Sequence, residues 1–195
     1  VHYDLGFSSI SITCNEQGRY IHLWQWGNGL NGTLPPELFF LTSLQSINLV
    51  PQVGARQIQE SNDVISFPLA KENYLHGSVP TEIGLCSDLK AISMQQNQLT
   101  GTLPTLVGQL SHLIYFQLSQ NEISGALPSF DKATSMAFLD LQFNKLQGRI
   151  PWSSLWSMTN LSTLHLARNA FNGTIPSEVA ALSSLTSLRL FGNEL

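Results

Sequence analysis

Apolar residues recur along this chain in a unit of about 24 positions. The clearest copy runs from Leu161 to Leu182 and reads LSTLHLARNAFNGTIPSEVAAL, and Leu185 begins the same pattern again. Leu164 and Leu166 alternate with His165, which predicts a short strand with the two leucines facing inward and the histidine facing outward. Units of this length cannot bury their apolar face alone, so the recurrence predicts a solenoid of stacked units.

Each remaining position of the unit has a separate physical role. Asn169 follows the strand, and its amide can both donate and accept hydrogen bonds to backbone groups that the turn would otherwise bury unpaired. Gly173 permits backbone angles that other residues disfavour, and Pro176 lacks a donor and starts the return segment. The sequence therefore predicts an internal ladder of asparagines, with Asn121 and Asn169 buried and bonded to backbone.

The units divide the chain into two parts. Residues 1–19 do not follow the pattern and are expected to cap the solenoid, with alternation at Ile10 and Ile12 and a turn near Asn15–Gly18 indicating a hairpin. Residues 20–195 hold about eight units, the last of them truncated. Their starts fall at Tyr20, Leu44, about Val64 or Ile65, Leu89, Leu113, Met136, Leu161 and Leu185. Because the chain starts at Val1 and stops within a unit, a longer protein is expected.

The second unit is irregular. It begins as LQSINLVPQ but continues as the more polar VGARQIQESND. We expect residues 50–63 to form a loop or short helix, either as sequence drift or as a local functional insertion. The next strand is expected near Val64, with Phe67 and Leu69 also inward, because the alternative register would put Pro68 inside a sheet.

The segments LTGTLP, ISGALP, LQGRIP and FNGTIP resemble the plant-type, 24-residue class of extracellular leucine-rich repeats. The stretch PTEIGLCSDL is similar also to repeat proteins of algae and other protists. The resemblance implies an α/β solenoid: a right-handed superhelix with a parallel concave β-sheet and an irregular or 3-10 convex side. It further implies a secreted or cell-surface module that binds a protein, peptide or glycan on the concave sheet. The paired-cysteine cap of the plant class is reduced here to SSISITC, which ends at Cys14.

Composition and motifs narrow the function. Only 11% of the residues are charged and the formal net charge is −4, without runs of Lys or Arg, which argues against nucleic acid and anionic membranes as partners. No apolar run of about 20 residues exists, so no membrane span is expected in this segment. Zinc-ligand spacings, a Gly-rich phosphate loop and a GxSxG motif are missing from the sequence, so we predict no enzyme activity, no metal and no cofactor.

Two kinds of residue bear on the cellular compartment. Cys14 and Cys86 lie far apart in a solenoid and are not expected to pair, and Cys86 is expected to be a buried thiol. Three sequons mark possible N-glycosylation, at Asn31, Asn160 and Asn172, all outside the expected strand positions. Together with the resemblance, they predict an extracellular or cell-surface location.

The outward strand positions define a candidate ligand-binding patch on the concave face. Gln117, Asp140, His165 and Arg189 share one position in successive units and should form a column. The proposed contact residues are Tyr115, Phe138, Asp140, Phe143, His165, Arg168 and Arg189, with Trp24 and Trp26 as a further candidate pair in the first unit. The function predicted is a non-enzymatic binding module. The alternatives are a solvated surface without a ligand, and a structural matrix, wall or filament component that assembles with copies of itself.

Overall fold

The structure is a computed structural model that describes residues 11–14, 20–24, 30–49, 58–60, 63–65 and 73–195. Its side chains are described for residues 30–49 and 73–195. In chain order the strands of these residues are β1 (Ser11–Cys14), β2 (Tyr20–Trp24), β3 (Asn31–Thr33), β4 (Ser46–Asn48), β5 (Ile58–Glu60), β6 (Asp63–Ile65), β7 (Tyr74–Ser78), β8 (Ala91–Ser93), β9 (Gln98–Thr100), β10 (Tyr115–Gln117), β11 (Ser124–Ala126), β12 (Phe138–Asp140), β13 (Lys145–Arg149), β14 (Thr163–His165), β15 (Ala170–Asn172) and β16 (Ser187–Arg189).

One large sheet runs through these repeats in the order β1-β2-β4-β8-β10-β12-β14-β16. All its pairs from β2 onward are parallel, as predicted. The middle residue of each three-residue strand points into the core because successive side chains alternate. Ile47, Ile92, Phe116, Leu139 and Leu164 are fully buried there. At the N-terminal edge β1 pairs antiparallel with β2, which confirms the predicted hairpin.

The return path of each repeat uses short elements. After the turn of the unit, a second strand joins one of two small parallel sheets on the flank, β3-β7-β9 or β11-β13-β15. A proline then precedes a single helical turn. The turns are 3-10 helices at Pro36–Phe40, Thr81–Leu85, Thr105–Gln109 and Ser177–Ala181, and one α-helix, α1, at Trp152–Leu155. Their apolar residues close the core from the convex side.

The asparagine ladder is present. Asn121 Oδ1 accepts a hydrogen bond from the backbone N–H of Leu99 at 3.0 Å, and its Nδ2 donates to the carbonyls of Met94 and Leu118 at 3.0 Å each. The same pattern repeats at Asn97, Asn144, Asn169 and Asn193. Asn121 is buried as predicted, whereas Asn169 is bonded in the same way but only half-buried.

The second repeat differs from its prediction. The expected repeat strand near Val64 or Ile65 is wrong, because β4 pairs directly with β8 in the large sheet. Val64 and Ile65 belong instead to β6, which pairs antiparallel with β5 in a separate two-stranded hairpin. Residues 58–60, which we expected in a loop or short helix, therefore form a strand. The predicted inward residues Phe67 and Leu69 lie outside the described residues.

The ladder shows where this hairpin enters the repeat. Asn73 and Asn97 both donate to the carbonyl of Leu49, as Asn97 and Asn121 do to the carbonyl of Met94. Asn73 is thus the ladder asparagine of the second repeat, but it follows Leu49 by 24 positions, whereas Asn97 follows Met94 by three. The hairpin is an insertion within one repeat, between its concave strand and its asparagine.

Cys86 is a buried free thiol, which confirms its prediction. Its Sγ lies 3.3 Å from the carbonyl oxygen of Phe39, to which the thiol donates. Burial, together with the negative charge of Asp88, raises the pKa of the thiol to about 11. The thiol is therefore protonated at neutral pH and unreactive.

Candidate concave-face binding site

Strand register arranges the outward side chains of the large sheet in rows. The charged row consists of Gln117, Asp140, His165 and Arg189, which are directly paired on neighbouring strands β10, β12, β14 and β16. The aromatic row, two residues earlier, consists of Tyr115, Phe138, Thr163 and Ser187. Because neighbouring strands are about 4.8 Å apart, side chains within a row touch or nearly touch. The residues predicted to form a column are therefore adjacent on neighbouring strands.

A third row lines the edge of the sheet where each strand ends. Gln96, Gln120, Phe143 and Arg168 have φ angles of 57, 57, 55 and 56°, so four non-glycine residues adopt the left-handed conformation. Each immediately precedes a ladder asparagine, and the ladder bonds hold the turn against its steric cost of roughly 1–2 kcal/mol. As a result Phe143 and Arg168 project as exposed side chains beside the charged row.

Two aromatic contacts continue across three strands. The ring centroids of Tyr115 and Phe138 are 6.2 Å apart, and Phe138 meets the His165 imidazole edge-on at 6.1 Å. Tyr115 and Phe138 are each half-buried. The rings thus form a continuous, partly accessible apolar surface along one side of Asp140.

Asp140 is a half-buried carboxylate held in a fixed orientation. Its Oδ1 accepts from the backbone N–H of Gln142 at 3.2 Å, and its Oδ2 accepts from Gln142 Nε2 at 3.3 Å. Burial raises the pKa of the Asp140 carboxyl, and the hydrogen bonds from Gln142 and Ser119 and the charge of His165 only partly oppose this. Ionised Asp140 is therefore less well solvated than a surface aspartate.

His165 faces outward, yet only 8% of it is exposed. Strand alternation predicts an outward-facing histidine, which is confirmed, and the Phe138 ring on one side and Ser187 on the other cover it. Its Nε2 lies 2.8 Å from Ser187 Oγ, so one of the two groups donates to the other. Burial lowers the pKa of His165. The negative charge of Asp140 opposes this shift, and the positive charge of Arg189 lowers the pKa further. The imidazole is therefore mostly neutral at pH 7.

The sequence Asp140, His165, Ser187 contains the residue types of a nucleophilic triad. In such a triad the carboxylate accepts a hydrogen bond from the imidazole and orients it. Here the carboxylate is instead hydrogen-bonded to Gln142, and it acts on His165 only through its charge. The imidazole–carboxylate hydrogen bond of such a triad is therefore missing between these described residues.

Arg168 lies across the next repeat. Its Cζ is 5.8 Å from the centroid of the exposed Phe191 ring, a cation–π distance. The stem of Arg168 passes over Gly192, which has a φ angle of 70°, and a Cβ added there would come within 3.0 Å of Arg168 Cδ. Gly192 thus leaves room for the arginine to reach the ring.

The structure brings most of the predicted patch together. Tyr115, Phe138, Asp140, His165 and Arg189 occupy two adjacent rows, and Phe143 and Arg168 border them at the sheet edge. In the first repeat, Trp24 lies in β2 and pairs with Asn48, which places its backbone in the charged-row register. Trp26 lies outside the described residues.

Strand alternation places Ser119, Gln142, Ser187 and Gln95 at outward positions, but the predicted contact set does not include them. The buried Gln95 Oε1 has no hydrogen-bond partner in the part of the chain that the structure describes. The hydrogen bonds of Gln142 and Ser187 depend on side chains of neighbouring positions and strands, which alternation along one strand does not reveal.

Comparison with known proteins shows similarity to leucine-rich repeat proteins of plants. The sequence profile described as Leucine Rich Repeat matches residues 160–182. The LRR receptor-like serine/threonine-protein kinase EFR of Arabidopsis thaliana is 39% identical over 57 residues, which is 29% of this chain and 6% of that protein. The chain has the leucine-rich repeat fold and is similar to plant-type leucine-rich repeat receptors. Its repeats from residue 89 onward are regular, and the insertion in the second repeat departs from them.

Solved receptor structures resemble this chain over most of its length. The Arabidopsis receptor kinase HAESA, in complex with the peptide hormone IDA and the co-receptor SERK1, superposes with a TM-score of 0.73 at 28% identity. That match covers 93% of this chain and 27% of HAESA. The plant peptide hormone receptor RGFR1, in complex with RGF2, gives 0.70 and 28%, covering 88% of this chain and 24% of RGFR1. The chain thus spans well under two thirds of these relatives.

The sequons lie away from the candidate site. Asn31, Asn160 and Asn172 are all exposed and outside the large sheet. Asn31 and Asn172 nevertheless lie within the flank strands β3 and β15, so the expectation that they avoid strands holds only for the concave sheet. Among the described residues, no helix has the length and apolar character needed to cross a membrane, and no three His, Cys, Asp or Glu side chains are grouped to hold a metal ion.

Proposed function

We propose that this chain is the ligand-binding segment of a cell-surface or secreted protein, and that it binds an extended peptide across the concave face between β10 and β16. The observation that carries the proposal is the patch of charged and aromatic side chains on a sheet that is otherwise lined by small or uncharged residues. Aromatic rings give contact area at low entropic cost, and isolated charges give orientation.

A peptide suits the shape of this surface. The rows run across successive strands. A linear ligand that lies along the solenoid axis can therefore contact Tyr115, Phe138 and Arg189 at the same time. HAESA is bound to the peptide hormone IDA, and the peptide hormone receptor RGFR1 is bound to RGF2, which supports a peptide in preference to a glycan or self-assembly. A non-enzymatic role is part of this proposal.

The extracellular placement rests on two supports. The similar structures are a plant peptide hormone receptor and a receptor kinase bound to a peptide hormone. The three sequons are exposed on faces that leave the concave sheet free. We expect glycans on Asn31 and Asn172 in the native protein. Intact-mass analysis of protein secreted from plant cells, before and after enzymatic deglycosylation, would measure this.

The function is tested with a displayed library of random dodecapeptides, panned against the folded chain. Phe138→Ala combined with Arg189→Ala removes one ring and one charge from the patch. The matched control, Trp156→Ala with Arg149→Ala, removes the same classes of side chain from exposed positions outside the large sheet. Enriched peptides should lose at least about tenfold in affinity on the patch variant and less than twofold on the control. Peptides that bind both variants alike, or a library without enrichment, would contradict a concave peptide site.

A further inference from the structure

Asp140 lacks a cationic partner among the described residues. Within these residues the one ion pair is Lys145 with Glu122, on the flank, at 2.9 Å. The nearest titratable neighbour of Asp140 is His165, which burial keeps mostly neutral at pH 7, and the other paired neighbour is the uncharged Gln117. A half-buried carboxylate without a counter-charge is costly to the folded protein, and a ligand cation would relieve that cost.

The surroundings of Asp140 match the needs of a basic side chain. Phe138 lies two residues earlier on the same strand and presents its ring on the same face, with Tyr115 beside it. An ammonium or guanidinium group can rest against such rings while it meets the carboxylate. Ser119, at the end of the neighbouring strand, adds a hydroxyl acceptor beside Asp140, and a guanidinium brings more donors than one carboxylate can accept.

The opposite charge stands two strands away. Arg189 is exposed and occupies the charged-row position beyond His165, so two strand spacings, about 10 Å, separate it from Asp140. His165 and its bond to Ser187 fill the space between them. The two charges therefore cannot pair with each other, and both face the ligand side of the sheet.

We propose that the concave face is a dipolar peptide site: Asp140 with the Phe138 and Tyr115 rings takes a basic side chain, and Arg189 takes an acidic side chain three residues away on the same peptide. In a polyproline II conformation, residues i and i+3 lie on one face about 9 Å apart, which matches the separation of Asp140 and Arg189. This inference rests on the proposed function and specifies the class of peptide recognised.

The test uses four synthetic peptides and NMR titration of the isotope-labelled chain to about 5 mM peptide. The first probe is acetyl-Ser-Arg-Pro-Pro-Glu-Ser-amide, in which two prolines fix the spacing. The others replace its arginine by norleucine, its glutamate by glutamine, or both. The receptor variants are Asp140→Asn and Arg189→Gln, with Glu122→Gln and Arg149→Gln as charge-matched controls on the flank. Retention of the amide spectrum outside the concave sheet verifies that each variant is folded.

The doubly charged probe should bind at least about tenfold more tightly than the uncharged one. Asp140→Asn should abolish the advantage of the arginine and leave that of the glutamate, and Arg189→Gln should do the reverse. The flank variants should change neither. An arginine advantage that survives Asp140→Asn, a glutamate advantage that survives Arg189→Gln, or no shifts with any probe would overturn the dipolar site.

Failure of this inference can be told from failure of the proposed function. If all four peptides bind equally and Phe138→Ala weakens all of them, the concave face binds peptides but does not select this pair of charges. If none binds while the random library still yields binders that need Phe138 and Arg189, the peptide site stands and the charge spacing is wrong.

Discussion

The two faces of the large sheet differ in how uniform their residues are, although they belong to the same strands. The inward face holds only apolar, fully buried residues at the middle position of these strands: Ile92, Phe116, Leu139 and Leu164. Each repeat therefore contributes the same kind of side chain to the core. Outward, the charged row changes from Gln117 to Asp140, His165 and Arg189 without repeating any residue type. Stacking constrains only the inward face, because each repeat is stabilised by its neighbours through the core and the ladder. The outward face is therefore free to vary from repeat to repeat.

The largest expected difference between the faces comes from neighbouring residues of β10. Phe116 is fully buried and packs edge-on against Phe130, with ring centroids 6.3 Å apart. Phe116→Ala should lower the free energy of unfolding by about 3–5 kcal/mol, because it removes a large side chain and leaves a cavity. Gln117→Ala should change it by less than about 0.5 kcal/mol. Urea denaturation followed by circular dichroism measures both, and equal losses would contradict the comparison.

The ladder should show an intermediate effect. Asn121→Ala leaves the Leu99 N–H and the Met94 and Leu118 carbonyls without their partner, which we expect to cost about 1–3 kcal/mol of unfolding free energy. Asn160→Ala, at an exposed position on non-glycosylated protein, is the control and should be nearly neutral. Unchanged denaturation of the Asn121 variant would mean that the ladder does not stabilise the fold.

Gly192 links the backbone turn to the binding face. Gly192→Ala should destabilise the chain by about 1 kcal/mol through its positive φ angle, and it should also displace Arg168 from the Phe191 ring. Gly148→Ala is the matched control, because Gly148 has a φ angle of 81° and a Cβ there would meet nothing within 4 Å. Both variants should lose similar stability by thermal melting. Only Gly192→Ala should shift the Arg168 Nε–Hε resonance in NMR spectra, and an unshifted resonance would show that the glycine does not position the arginine.

The smallest effect has the opposite sign. Burial raises the pKa of Asp140, so the folded chain holds this proton more tightly than the unfolded chain. The stabilisation from the protonated carboxyl is complete below the unfolded pKa of about 3.9 and is lost as pH rises through the higher folded pKa. Asp140→Asn should therefore raise Tm by about 1–3 °C at pH 7 and leave it unchanged at pH 3. A lower Tm at pH 7 would show that the Asp140 charge is favourably paired in the free protein.

Sequence alone predicted what the repeat period dictates. The period fixes the inward residues and Asn121, and strand alternation fixes the shared row of Asp140 and His165. Three features lay beyond it. The burial of His165 depends on the volumes of Phe138 and Ser187 on other strands. The second repeat was divided wrongly because NYLHGSVP matches the second half of a repeat whose first half, LTSLQSINL, lies well upstream. Finally, the path of Arg168 depends on Gly192 in the next repeat, and no local pattern encodes it.

The hydrogen bonds to the carbonyl of Leu49 show how a repeat can accept an inserted segment. It accepts hydrogen bonds from Asn73 and Asn97, so the repeat closes on both sides of the inserted hairpin as it does around an uninterrupted turn. Once the two ends are clamped, lengthening the loop costs little, only about 0.6 kcal/mol for each doubling. The equivalent turns at Gln96, Gln120, Phe143 and Arg168 have the same clamp. Each is a position where a new segment could be grafted beside the concave face while the stacking beneath it stays intact.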